Sequence, residues 1–148
     1  MDDHFASPVD LGRTATDMDA AISYIRSAYN GTLSLSPSVL STSVLTYNVD
    51  WNAWGSDNQY DEVIPQIYRT TFESFQSEFS SYSSILSADT ADKWIASGIR
   101  VDGSGAPTPW SDVSEMIDLC EQAGQGASVW YSHGILDLYP EEFTALWG

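Results

Sequence analysis

Apolar residues recur along this chain at two kinds of spacing. Met18, Ile22, Ile25 and Tyr29 fall on one face of a 3.6-residue period, as do Phe72, Phe75, Phe79 and Tyr82, and then Val113, Met116, Ile117 and Cys120. Each set predicts an amphipathic helix. Thr14 with Asp17 three residues on predicts a capping box for the first of them, and Pro109 suits the first turn of the third. Gly124 and Gly126 punctuate the exit from that third helix. Between the helices lie short apolar runs that predict buried strands: "TLSLSP" (32–37), "DEVIPQIY" (61–68), "WIASGIRV" (94–101) and "GASVWYSH" (126–133).

Strand and helix alternate throughout. The pattern predicts an α/β fold with parallel strands and right-handed crossovers. Both a doubly wound sheet and a (β/α)8 barrel fit the alternation. Four units cannot close an eight-stranded barrel, which takes roughly 250 residues. The pattern therefore allows a small open sheet or half of a barrel.

Composition narrows the function. The 148 residues, 43% of them apolar, suffice for one domain with a core, so residues 1–148 are read as one unit. No run approaches the ~20 apolar residues of a membrane span. Cys120 is the only cysteine, so an internal disulfide and a cysteine-based zinc cage are excluded. Its place in an apolar helical stripe makes it a core thiol. Five basic residues against twenty-one acidic ones give a formal charge of −16, which repels phosphate backbones and argues against nucleic acid as a partner. The acids are dispersed, which fits a folded, solvated acidic surface. Adaptation to high salt explains such a surface, because screening removes the self-repulsion; an acidic secreted protein is the other reading.

Five segments in order, "DDHFASPVDLG", "LSLSPSVLS", "DWNAW", "DEVIPQIYR" followed by "FESFQSEF", and "GASVWYS", resemble the family 10 glycosyl-hydrolase-like proteins. These are TIM-barrel proteins with an Asp-Asp-His or Asp-Asp-Tyr motif ending the fourth strand. The resemblance covers nearly the whole chain. It implies that residues 1–148 are the C-terminal half of a (β/α)8 barrel, strands five to eight plus the last residues of strand four, with the N-terminal half absent. The chain departs from the family in a shorter excursion before Ser34, and in carrying His133 where relatives can have a glutamate.

In a barrel the working groups sit at the C-terminal ends of strands. Asp61 and Glu62 begin a strand and are expected at the bottom, as surface charges. Asp2 and Asp3 end one and face the mouth; Asp50, Asp102 and Asp137 follow strands and can reach it. Glycoside hydrolysis needs a protonated carboxyl and an ionised one. Adjacent acids on a strand point to opposite faces, so Asp3 is the expected catalytic carboxylate and Asp2 its locally bonded neighbour. His4 is placed to orient a carboxylate or bind substrate hydroxyls. No cofactor and no metal is implied by the spacing.

Alternation puts Ile64, Gln66 and Tyr68 on one strand face and Pro65, Ile67 and Arg69 on the other. A polar Gln66 in an apolar strand costs free energy unless it finds a partner, which a polar barrel mouth supplies. The resemblance assigns Gln66 and Tyr68 to substrate binding, and Arg69 is expected to offer paired hydrogen bonds to a carboxylate. Trp51, Trp130 and Tyr131 follow or end strands and are the expected stacking planes for sugar rings, with His133 as a pocket hydrogen-bonder. Trp54, Trp94 and Trp147 are expected in the core.

The expected function is that of a glycoside hydrolase-like protein acting on a polysaccharide or cell-envelope glycan through carboxylate general acid/base catalysis. The alternatives are a non-catalytic carbohydrate-binding module and an envelope-associated structural module. A half-barrel alone is expected to be inactive and to self-associate through its open sheet edges. The resemblance favours an extracellular or envelope location.

Overall fold

The computed structural model describes residues 12, 14–103, 105–130 and 135–147. Its elements run, in order, α1 (Ala15–Ala28), β1 (Ser34–Leu35), α2 (Leu40–Tyr47), α3 (Trp51–Ser56), β2 (Glu62–Val63), α4 (Phe72–Ile85), α5 (Ala88–Lys93), β3 (Ala96–Arg100), α6 (Trp110–Gln122), β4 (Gly126–Trp130), α7 (Ile135–Leu138) and α8 (Pro140–Trp147). This is the mixed α/β class with parallel strands that the alternation predicts.

The three long helices start where local chemistry tells them to. At α1 the capping box forms in both directions: Asp17 N–H donates to Thr14 Oγ1 (3.2 Å), and Thr14 N–H donates to the Asp17 carboxylate (2.8 Å). Thr71 caps α4 from its own side chain, and Asp112 reaches across from α6 to accept the Phe72 N–H at 3.0 Å. Pro109 holds the N-cap position of α6. Gly124, at φ +75°, turns the chain out of α6 in the left-handed conformation that favours glycine.

The strands are shorter than the apolar runs. β1 pairs with β2 in parallel, Ser34 beside Glu62 and Leu35 beside Val63. β3 pairs with β4 over five residues, from Ala96–Gly126 to Arg100–Trp130. Isolated parallel bridges prolong the first ladder at Ser38–Gln66 and tie it to the second at Val63–Trp94 and Gln66–Gly98. Neighbours in space thus follow chain order, β1, β2, β3, β4. Pro65 explains the interruption of β2: it has no N–H to give. Its carbonyl instead accepts both Ile67 N–H (3.0 Å) and Gly98 N–H (2.8 Å). One more residue lies between Trp94 and Gly98 than between Val63 and Gln66, as in a β-bulge.

Two faces result. Leu35, Val63, Ile67, Ile99 and Val101 are fully buried, in one core with Met18 and Ile22 of α1, Phe75, Phe79 and Tyr82 of α4, and Val113, Met116 and Cys120 of α6. Trp94 wedges between the rings of Phe79 and Tyr82, with centroids 4.8 and 5.3 Å away. Such pairs add about 0.5–1.5 kcal/mol each beyond their buried area. The other face is polar. Register places Ser34, Ser36, Ser38, Gln66, Gly98, Arg100 and Ser128 there.

Candidate functional site

The C-terminal ends of the strands gather the polar face into a small constellation. Gln66, 9% exposed, donates from Nε2 to the Ser36 carbonyl at 2.7 Å, which satisfies part of its buried amide. Gly98 lies beside it. A side chain there would bring a Cβ to 3.2 Å from Gln66 Cα, 3.2 Å from Pro65 O and 3.4 Å from Tyr68 Cε1. The missing side chain therefore lets the Tyr68 ring lie across β3. Two residues on, Arg100 stands on the same face, 9% exposed, with Nη2 donating to the Ala106 carbonyl at 3.2 Å. The Ser36 hydroxyl is buried here without a hydrogen-bond partner among the described residues.

Of the sequence-predicted binding residues, Gln66 and Tyr68 come together on this face. Two others do not join them. Arg69 turns to the helical side, where its Nη2 meets Glu78 Oε2 of α4 at 2.9 Å and its Nη1 donates to the Tyr68 carbonyl at 3.1 Å. Odd-numbered residues of this strand face the helices, and a nearby carboxylate holds the guanidinium there. Trp51 is a core residue, with no exposed surface and its ring edge-on to Tyr82 at 5.7 Å. It opens α3 with its apolar face inward and offers no plane to a sugar. Its indole N–H does support the face from below, donating to the Ser38 carbonyl at 3.1 Å.

Trp130 ends β4 opposite Arg100 in register. Asp2, Asp3, His4, Tyr131 and His133 lie outside the described residues. Trp54 is buried, as expected, and its indole N–H donates to Asp19 at 2.7 Å.

The remaining acids sort by position. Asp61 sits at the N-terminal end of its strand, where it receives the Leu33 N–H (2.8 Å) and both Arg26 nitrogens (2.7 and 3.1 Å). Those donors, the Leu33 N–H first, hold its carboxyl below the usual value. Glu62 accepts from the Ser34 hydroxyl at 2.5 Å. Asp50 caps α3 by accepting the Ala53 N–H, and Asp102 Oδ1 turns back onto the Gly103 N–H at 2.7 Å. Among the described residues no group of three His, Cys, Asp or Glu is placed to hold a metal ion. Cys120 is fully buried, and burial pushes its thiol up to about 11, far from a nucleophile's range.

Gly98 and Arg100 escaped the sequence reading. A glycine inside an apolar strand signals a close backbone approach, and an arginine ending a buried strand signals a polar destination. Both cues stood in "ASGIRV". No protein-family model, curated protein or solved structure matches this chain.

Proposed function

We propose that this chain is the C-terminal half of a glycoside-hydrolase-like (β/α)8 barrel whose polar strand face binds a polysaccharide or cell-envelope glycan. The carrying observation is that Gln66, Tyr68, Gly98 and Arg100 meet at the C-terminal ends of adjacent parallel strands, the end at which barrel enzymes bind and react. Strand order favours the barrel too. Neighbours follow chain order, as around a barrel, whereas a doubly wound sheet reverses its order at a switch point.

In this reading Asp3 is the catalytic carboxylate and Asp2 its neighbour, while Gln66 and Tyr68 hold sugar hydroxyls. A carboxamide at position 3 keeps the shape but can neither donate a proton nor attack. A second reading, a carbohydrate-binding module without turnover, is favoured by Asp102. Among the described residues it is the acid that follows β3 at this end, and its carboxylate is folded onto its own loop.

Glycan-array binding and reducing-end release, measured together on the full-length gene product, separate the readings. Release that Asp3→Asn abolishes supports hydrolysis; binding without release supports the module. Neither binding nor release on any glycan overturns both. Light scattering tests the half-barrel itself. A half-barrel exposes two strand edges and should self-associate, whereas a monodisperse, cooperatively unfolding monomer means a self-contained open sheet.

A further inference from the structure

We propose that Asn30 is an N-glycosylation site, its side-chain amide carrying an oligosaccharide on the loop between α1 and β1. The inference goes beyond the glycan-binding reading and is independent of it. Sequence, exposure and the anchoring of the loop carry it together.

Asn30-Gly31-Thr32 is an acceptor motif: an asparagine, a middle residue other than proline, and a hydroxyl two positions on. The chain has four asparagines, and the other three lack that hydroxyl. Two residues beyond Asn48, Asn52 and Asn58 stand Asp50, Trp54 and Tyr60. The fold separates them as well. Asn52 is committed inside the molecule, its amide donating to the Ile85 carbonyl at 3.2 Å and accepting the Ser87 N–H at 2.9 Å. Asn30, Gly31 and Thr32 are all exposed, in the turn between the end of α1 at Ala28 and the start of β1 at Ser34.

The backbone of that turn is anchored on both sides of Thr32. Arg26 Nη1 donates to the Gly31 carbonyl at 3.5 Å, and Leu33 N–H donates to the Asp61 carboxylate at 2.8 Å. Arg26 and Asp61 hold each other at 2.7 Å, so one ion pair fixes the loop from beneath while the motif stands in water. Gly31 adds a detail: a Cβ there would fall 2.6 Å from the Tyr29 hydroxyl. The Tyr29 ring, half exposed, thus folds over the middle of the motif and offers an apolar plane beside the attachment point. The C–H face of a first sugar ring packs on such a plane.

The transfer needs a donor of one chemical class, a lipid-diphosphate-linked oligosaccharide. The Asn30 amide nitrogen bonds to the anomeric carbon and gives up one proton. The glycosyl–phosphate bond breaks, and the lipid diphosphate leaves with its electron pair. The product is bulky, neutral and hydroxyl-rich, suited to a surface turn. Asn30 precedes β1, and the strands run parallel, so the oligosaccharide stands at the N-terminal end of the sheet. The face around Gln66 and Gly98, at the other end, stays open.

The test is mass spectrometry of the full chain isolated from its source cells. Trypsin releases residues 27–69 as one peptide, and fragmentation places any sugar within it. That peptide should carry an added oligosaccharide on Asn30. Asn30→Gln and Thr32→Ala should lose it entirely, whereas Thr32→Ser should keep it, because either hydroxyl completes the motif. The modification is read on the wild-type chain, so a variant that fails to fold does not decide the matter. Unmodified Asn30 throughout overturns the inference, as does sugar that persists on this peptide in Asn30→Gln. Either result leaves the glycan-binding reading untouched.

Discussion

Gly98 lies directly beneath Tyr68: a Cβ at position 98 would stand 3.4 Å from the Tyr68 ring and 3.2 Å from the backbone of Gln66. Gln66 and Tyr68 are thus set against β3 by an absence. Gly98→Ala must push on Pro65 and Gln66 backbone atoms, which yield less readily than a side-chain tip. Overpacking of this kind costs about 1–3 kcal/mol, offset by about 0.4–1 kcal/mol from a stiffer unfolded chain. A net loss near 1 kcal/mol in urea unfolding is expected, with weaker glycan binding. Unchanged stability together with unchanged binding removes Gly98 from the site.

A second glycine is held more tightly. A Cβ on Gly55 would fall 2.6 Å from the Tyr60 hydroxyl and closer still to Thr90 Oγ1. Both hydroxyls are committed, Tyr60 to the Trp51 carbonyl at 2.7 Å and Thr90 to the Asn52 carbonyl at 2.8 Å. Gly55→Ala must break one of these bonds or separate α3 from α5. A loss of about 3 kcal/mol is expected from overpacking plus a disrupted buried hydrogen bond. Urea midpoints of the two proteins measure it.

The Asp61–Arg26 pair gives stability a pH dependence with a definite sign. The folded carboxyl titrates below its ordinary 3.8, because Leu33 N–H and Arg26 favour the ionised form. Its contribution is therefore complete above that value and disappears as pH falls through the lower, folded one. Asp61→Asn keeps an acceptor for Leu33 but loses the charge. The wild type should exceed the variant by no more than about 1 kcal/mol at neutral pH, since the pair is exposed. The gap should close below pH ~4. A gap that widens on acidification contradicts the assignment.

The charge imbalance predicts a response to salt. With twenty-one acids facing five bases, screening should raise the melting temperature between low and molar sodium chloride. A flat or falling temperature favours the acidic secreted protein over adaptation to brine.

Long periodic elements were legible from sequence because their stripes repeat: α1, α4 and α6 bury the predicted Met18 and Ile22, Phe75 and Phe79, and Val113 and Cys120. The strands were legible in place but not in length, since Pro37 and Pro65 interrupt ladders that apolar character alone extends. Helices as short as α3 and α5 complete too few turns for a stripe. Their starts are written in caps instead, Asp50 and Ser87, each accepting a backbone N–H. Trp51 shows a limit of positional reasoning. The spacing set it after a strand, as a binding residue can be, but it follows α2, opens α3 and is buried in the core. The polar-face position of Gln66 was legible because polarity inside an apolar run needs a partner, which the Ser36 carbonyl supplies.

The extra residue between Trp94 and Gly98 explains why Arg100 was harder to see. Counting by twos from Trp94 arrives at Gly98 and Arg100, so strict alternation assigns all three to one side. In the folded chain Trp94 packs among the α4 rings, with its indole N–H on Ser97 Oγ, while Gly98 and Arg100 join Gln66. The irregularity is a half-period phase shift. It allows one uninterrupted stretch to give the core an aromatic anchor and, six residues later, to present a cation on the opposite surface. In most proteins a change of one residue in length is absorbed by a loop; here, inside a strand, it decides which surface owns the charge.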